Sequence, residues 1–94
     1  MIFKAITAKE LEHIRDAPDT LLVDVREAFE HVHGNLGGIN LPLSSFSEHM
    51  SELPKDKHIV LYCRSGARSG LAARGLLAAG YEHVSHLQGG MGEP

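Results

Sequence analysis

The chain has 94 residues, 43% of them hydrophobic, and a net charge of -3 with histidine counted as neutral. That length fits one domain over residues 1–94 with a modest core, and the hydrophobic fraction sets it apart from disordered chains. The acidic balance argues against a general nucleic-acid binder, which is normally basic. No stretch approaches the ~20 apolar residues of a membrane span, and Met1 to Thr7 lacks the apolar run of a signal peptide. The single cysteine excludes an internal disulfide and a cysteine-only metal site, and it suits a reducing compartment. The expectation is a cytoplasmic protein without nucleic-acid or membrane partners.

Ile2 to Ile6 reads as a short strand. Thr7-Ala8-Lys9-Glu10 has the spacing of a capping box, which predicts a helix from Ala8 with Leu11 and Ile14 as its buried stripe. Asp16 to Thr20, with Pro18, ends that helix. Leu21 to Val25 is an apolar, β-branched run expected to form a buried strand. A short helix over Arg26 to His33, closed by Gly34, follows. Gly37-Gly38 marks a turn, and Ile39 to Leu41 a brief strand ended by Pro42. Phe46, Met50 and Leu53 give Ser44 to Leu53 helical spacing. His58 to Tyr62 is the best strand in the chain; Ser69 to Ala79 is an alanine-rich and leucine-rich helix with Gly80 as its stop; Val84 to Leu87 is a last strand. Strands that alternate with helices predict an α/β layer fold with a largely parallel sheet.

Ligands of such sheets bind beyond the carboxyl ends of strands. After the best strand comes Cys63-Arg64-Ser65-Gly66-Ala67-Arg68-Ser69. Backbone N–H groups in a strand-to-helix turn lack ladder partners and can converge on an anion, aided by the positive end of the helix dipole. Gly66 permits backbone angles that other residues resist. Arg64 and Arg68 add positive charge, and all of this favours a thiolate at Cys63, hence a nucleophile. A free cysteine is most often a small buried apolar side chain. That reading leaves two arginines and a glycine crowding the same turn without a reason.

In this order of motifs the sequence resembles the rhodanese family. Residues 63–69 resemble its active-site loop, and Asp24-Val25-Arg26-Glu27, with Glu30 and Gly34, resembles its upstream signature. Asn40-Leu41-Pro42 resembles the close of that signature, and Gly80-Tyr81, Val84 and Leu87-Gln88-Gly89-Gly90 the end of the domain. The resemblance implies a parallel five-stranded sheet with helices on both faces. It implies a sulfurtransferase that moves a sulfane sulfur from thiosulfate or a similar donor, through a persulfide on Cys63, to cyanide, a thiol or a protein acceptor. Backbone N–H groups from Arg64 to Ser69 (Arg64, Ser65, Gly66, Ala67, Arg68 and Ser69) would cradle the persulfide. Arg64 and Arg68 would attract the donor, and Asp24 and Arg26 would support the loop by ionic hydrogen bonds or serve as a structural strand-end pair. No cofactor or metal is implied.

Related phosphatases and arsenate reductases place the arginine six residues after the cysteine. Here Arg68 follows Cys63 by five and position six is Ser69, a smaller ring that favours sulfur over phosphate by the same resemblance. A sulfur-carrier or binding module with this fold is the other alternative. Three departures stand out: Asn35 follows Gly34 where the family has histidine, Gly37 to Asn40 is one residue short, and the chain stops at Pro94 without the family's tryptophan-containing segment and final helix. Lack of that helix would leave one sheet face less covered. The seven histidines, among them His31 and His33, and His83 and His86, lack zinc-like spacing and read as solvated or loosely packed. Gly70 and Gly75 lie inside a helix, by close packing or simple tolerance, and Tyr62 reads as core.

Overall fold

The computed structural model describes residues 2–92. Five strands form one sheet: β1 (Ile2–Ile6), β2 (Thr20–Asp24), β3 (Ile39–Asn40), β4 (His58–Tyr62) and β5 (His83–Leu87). Their spatial order is β1-β5-β4-β2-β3, and every pairing is parallel. Four helices connect them: α1 (Ala8–Ile14), α2 (Ala28–His33), α3 (Phe46–His49) and α4 (Ala67–Ala78). The expected parallel α/β sheet with helices on both faces is the fold observed.

The apolar runs of β2 and β4 are continuous because both faces of the sheet are covered. Alternation then sorts each strand between two cores. Ile59 and Leu61 of β4 join Val23, Val84 and the α4 residues Ala72, Ala73 and Leu76 on one face, with Phe46 and Leu53 closing that core. Val60 and Tyr62 turn to the other face, where Leu22, Leu87 and Leu11 of α1 meet them. Each fully buried aliphatic side chain contributes about 1.5–3 kcal/mol. Tyr62 is core as expected. Its hydroxyl donates to the Gly37 carbonyl at 2.9 Å and accepts the Leu36 N–H at 3.0 Å, so burial leaves no polar atom stranded.

The capping box is present at α1: the Thr7 hydroxyl accepts the Glu10 N–H, and the Glu10 carboxylate accepts the Thr7 N–H, both at 3.1 Å. Leu11 is buried and Ile14 packs at the edge of its core. The expected strands Leu21–Val25, Ile39–Leu41 and Val84–Leu87 are found as Thr20–Asp24, Ile39–Asn40 and His83–Leu87, and three expected helical spans shift. The helix expected over Ser44 to Leu53 is one turn of α-helix between two 3₁₀ turns, Leu43–Ser45 and Met50–Glu52. Helix α2 begins at Ala28, because the Glu30 carboxylate accepts the Glu27 N–H at 3.0 Å and fixes the turn before it. Helix α4 begins at Ala67 rather than Ser69, because the left-handed turn at Gly66 delivers the chain into the helix at once. Gly70 and Gly75 approach nothing closely: a Cβ on Gly70 would lie 3.7 Å from His86 Cε1, and one on Gly75 4.0 Å from Met50 Sδ. Simple tolerance explains both. The expected chain stop at Pro94 lies outside the described residues.

Candidate active site

From β4 the chain crosses to β5 on one side, and from β2 it crosses to β3 on the other. Such diverging connections open a crevice at the carboxyl ends of a parallel sheet. Cys63 follows β4 directly at that point, and Arg64, Ser65 and Gly66 carry the chain into α4.

Cys63 is wholly buried. Its Sγ accepts the Gly66 N–H at 3.0 Å and the Ser69 N–H at 3.4 Å, and the Ser69 hydroxyl lies 3.6 Å away. Burial alone pushes the thiol pKa up. The N–H and hydroxyl of Ser69, with the N–H groups of Gly66 and Ser65, outweigh it and hold the thiol below its ordinary value. Gly66 can aim its N–H at the sulfur because its φ is +102°. A Cβ there would also stand 3.3 Å from the Gly89 nitrogen.

The other loop residues divide by exposure. Arg64, Ser65 and Ala67 form the exposed outer limb, whereas Ser69 is buried. The Arg68 guanidinium turns to Glu30 of α2 in a two-pronged ion pair, Nη1–Oε1 2.6 Å and Nη2–Oε2 3.0 Å. That pair pulls the Glu30 carboxyl down to about 2. The Glu30 carboxylate also accepts the Glu27 N–H, so one side chain caps α2 and fastens it to the loop.

Asp24 and Arg26 sit at the end of β2 and are brought to α2 rather than onto the sulfur. Asp24 is wholly buried. Its carboxylate accepts the Arg26 backbone N–H at 2.9 Å, Arg26 Nε at 3.0 Å, Arg26 Nη2 at 2.8 Å and His31 Nδ1 at 2.9 Å. Burial raises its pKa, but hydrogen bonds from Arg26 and His31 win and hold it below the usual carboxylate range. Arg26 Nη2 also donates to the Gly34 carbonyl at 2.6 Å, which ties down the end of α2. Asn40 closes the turn from the other side, donating to the carbonyls of Asp24 and Arg26 at 3.0 and 2.9 Å. Arg26, Phe29, Glu30, Arg64 and Met91 line a groove at the mouth of the loop, with Phe29 68% exposed.

Two features lie beyond the expected site residues. The turn after β5 clamps the cysteine loop: the Met91 N–H donates to the Cys63 carbonyl at 2.9 Å and the Gly92 N–H to the Arg64 carbonyl at 3.1 Å. Gly90 permits this approach. Its φ is +63°, and a Cβ on it would fall 2.3 Å from the Arg64 carbonyl oxygen and 2.5 Å from that of Cys63. The adjacent glycines 89 and 90 signal a turn in the sequence but not what the turn touches. Second, the histidines are more engaged than expected. His31 bonds Asp24, His86 Nδ1 lies 3.0 Å from Ser69 Oγ, and His58 contacts Ser85 at 2.7 Å while stacking on His83 at 3.6 Å. For His58, His83 and His86 the partners come from a sheet in which residues far apart in sequence share a face.

The rhodanese-like domain family model matches residues 7–93. A sulfurtransferase of Allochromatium vinosum is 42% identical over 81 residues, covering 85% of this chain and 76% of that protein. A tRNA uridine(34) hydroxylase of Photorhabdus laumondii is 34% identical over 93 residues, covering 92% of this chain but only 26% of that protein. The crystal structure of a rhodanese-related protein from Thermoplasma volcanium matches with a TM-score of 0.83 at 30% identity, covering 94% of this chain and 86% of that one.

Proposed function

The chain belongs to the rhodanese-like domain family, and from that premise we propose that it is a sulfurtransferase carrying sulfane sulfur on Cys63, with thiosulfate or a similar anionic donor and a thiol or cyanide acceptor. The carrying observation is the pair of donors around Sγ: the N–H groups of Gly66 and Ser69 converge on one buried sulfur, with Ser69 Oγ 3.6 Å from it. Such a set stabilises negative sulfur before the donor arrives and serves a persulfide anion equally well.

The chemistry is a double displacement. The Cys63 thiolate attacks the outer sulfur of thiosulfate. The S–S bond of the donor breaks, sulfite leaves with its electron pair, and the terminal sulfur of the new persulfide takes the negative charge. Cyanide or a thiolate then attacks that terminal sulfur, and the bonding pair returns to Cys63 as thiolate. Because Cys63 is buried, the donor reaches it by parting the exposed limb at Arg64 and Ser65. Arg64 draws the anion to the mouth. Arg68, paired with Glu30, acts chiefly as the tether between the loop and α2. That engagement disfavours the phosphatase reading, which needs an arginine free to clamp a tetrahedral oxyanion.

The test is intact mass after incubation with thiosulfate. A gain of one sulfur atom in the wild type but not in Cys63→Ser, with thiocyanate formed on adding cyanide, is the expected result. A persulfide formed from a protein or small-molecule persulfide but never from thiosulfate would favour the sulfur-carrier reading. Turnover of an aryl phosphate, with no sulfur gained, would overturn both.

A further inference from the structure

Ser69 carries a single hydroxyl proton with more than one place to send it. Its Oγ lies 3.6 Å from Cys63 Sγ, 3.2 Å from the Gly66 carbonyl oxygen and 3.0 Å from His86 Nδ1. If Nδ1 is bare it accepts the hydroxyl proton, and the sulfur loses a donor. If Nδ1 carries hydrogen it donates to the Ser69 lone pair, and the hydroxyl proton is released toward the sulfur. Only the Nδ1–H tautomer of His86 therefore leaves the Ser69 proton for a Cys63 thiolate, which as a charged acceptor competes for it with the Gly66 carbonyl.

The ring is fixed for that task. His86 lies on β5, opposite Leu61 of β4 and Ala5 of β1, on the sheet face that bears α4. Phe3 of β1 stacks on it with centroids 5.8 Å apart and planes 6° from parallel. Gly70, one residue beyond Ser69, leaves the space beside Cε1 open. Facing the ring are Phe3 from β1, Ser69, Gly70 and Arg74 from α4, and Cys63 beyond Ser69 at the end of β4. Arg74 lines the same groove as the ring. Burial lowers the His86 pKa. The relevant form is therefore neutral, with one N–H to place.

We propose that His86 is a positioning residue for sulfur transfer: its Nδ1–H donates to Ser69 Oγ, which turns the hydroxyl proton onto Cys63 Sγ. The role rests on the sulfurtransferase reading, since it assigns His86 to preparing the attacking thiolate and the persulfide that follows. No proton leaves the chain; the relay orients a donor and leaves the nucleophile otherwise unchanged.

The experiment is a titration of the Cys63 thiolate, followed by ultraviolet absorbance and by the pH dependence of iodoacetamide alkylation, in the wild type, Ser69→Ala, His86→Asn, His86→Gln and Ser69→Ala with His86→Gln. An asparagine amide nitrogen falls near the place of Nδ1, and a glutamine amide near that of Nε2. His86→Gln is expected to raise the thiolate pKa by roughly 0.5–1 unit, as fits the weakening of one hydrogen bond to a charged group. His86→Asn should stay close to the wild type. In the Ser69→Ala background, His86→Gln should add nothing, because the relay is already cut. Circular dichroism confirms folding of each variant. An unchanged titration in His86→Gln overturns the proposal, and so does an equal shift with and without Ser69. Alkylation needs no sulfur donor, so coupling found in a protein that gains sulfur from neither thiosulfate nor a persulfide donor refutes the sulfurtransferase reading and leaves the relay to the thiolate standing.

Discussion

Asp24→Ala is expected to be strongly destabilising, and its cost can be worked out. The carboxylate accepts from Arg26 N, Nε and Nη2 and from His31 Nδ1, all between 2.8 and 3.0 Å, with no exposure to solvent. Removing it leaves the Arg26 side chain, itself only 9% exposed, as a buried charge whose remaining acceptor among the described residues is the Gly34 carbonyl. Breaking one partner of a buried pair costs about 3–5 kcal/mol. At about 0.05–0.15 kcal/mol per residue, 94 residues give about 5–14 kcal/mol in total. The loss is therefore about a fifth of the stability or more, and the melting temperature should fall by at least about 12 °C.

Urea unfolding followed by circular dichroism measures it. The midpoint should drop with an unchanged slope. The companion variant is Asp24→Leu with Arg26→Met, which removes both charges. Gly34 is exposed, so its carbonyl can turn to water, and the double variant should recover at least half of the loss. A loss below about 1 kcal/mol in Asp24→Ala would refute the reasoning, because the carboxylate would then be dispensable to the guanidinium it faces. A double variant as unstable as the single would refute it differently, by showing that packing rather than stranded charge sets the cost.

Gly90→Ala should slow persulfide formation at least about tenfold and cost about 1–3 kcal/mol, since its Cβ would collide with the carbonyls of Cys63 and Arg64; wild-type kinetics would count against the clamp. Gly75→Ala should stabilise by about 0.4–1 kcal/mol in urea unfolding, because the new methyl meets only Met50 Sδ at 4.0 Å inside a twelve-residue helix. The Glu30 carboxyl titrates at about 2 when folded against 4.5 in the free side chain, so the unfolded chain takes up the proton first as the solution turns acid. The contribution of the Glu30–Arg68 pair is then full above about pH 4.5 and lost on falling toward pH 2. With Arg68 32% exposed, screening brings it to about 1–2 kcal/mol. Subtracting the stability-versus-pH curve of Glu30→Gln from that of the wild type should show the step in that window, and a flat difference would dismiss the pair.

The sheet was legible because its central strands are buried on both faces and therefore carry unbroken apolar runs, Leu21 to Val23 and Ile59 to Tyr62. The cysteine loop was legible because strand, glycine and helix follow one another without a gap, so local sequence alone places Gly66 and Ser69 around Sγ. Local sequence also named Arg68 but not its partner. Glu30 lies 38 positions away on a helix with no buried residue, and nothing in either neighbourhood announces the other. The clamp from Met91 and Gly92 is hidden for a related reason: it uses backbone N–H groups, which every residue except proline carries.

His86 shows what decides such cases. Along β5, residues 83, 85 and 87 point to the face that holds Leu87 and α1, while 84 and 86 point to the face that holds Val84 and α4. His83 accordingly stacks on His58, whose ring contacts Ser85, and His86 reaches Ser69. In the sequence the two histidines are an unremarkable pair three positions apart. A slip of one residue in the pairing of β5 with β4 would turn the His86 imidazole away from Ser69 and toward α1. Register is thus what carries His86 to Ser69, and register is fixed by Val84 and Leu87 seating in opposite cores. Substitutions that loosen those two cores should therefore disturb the thiolate without touching a residue of the loop.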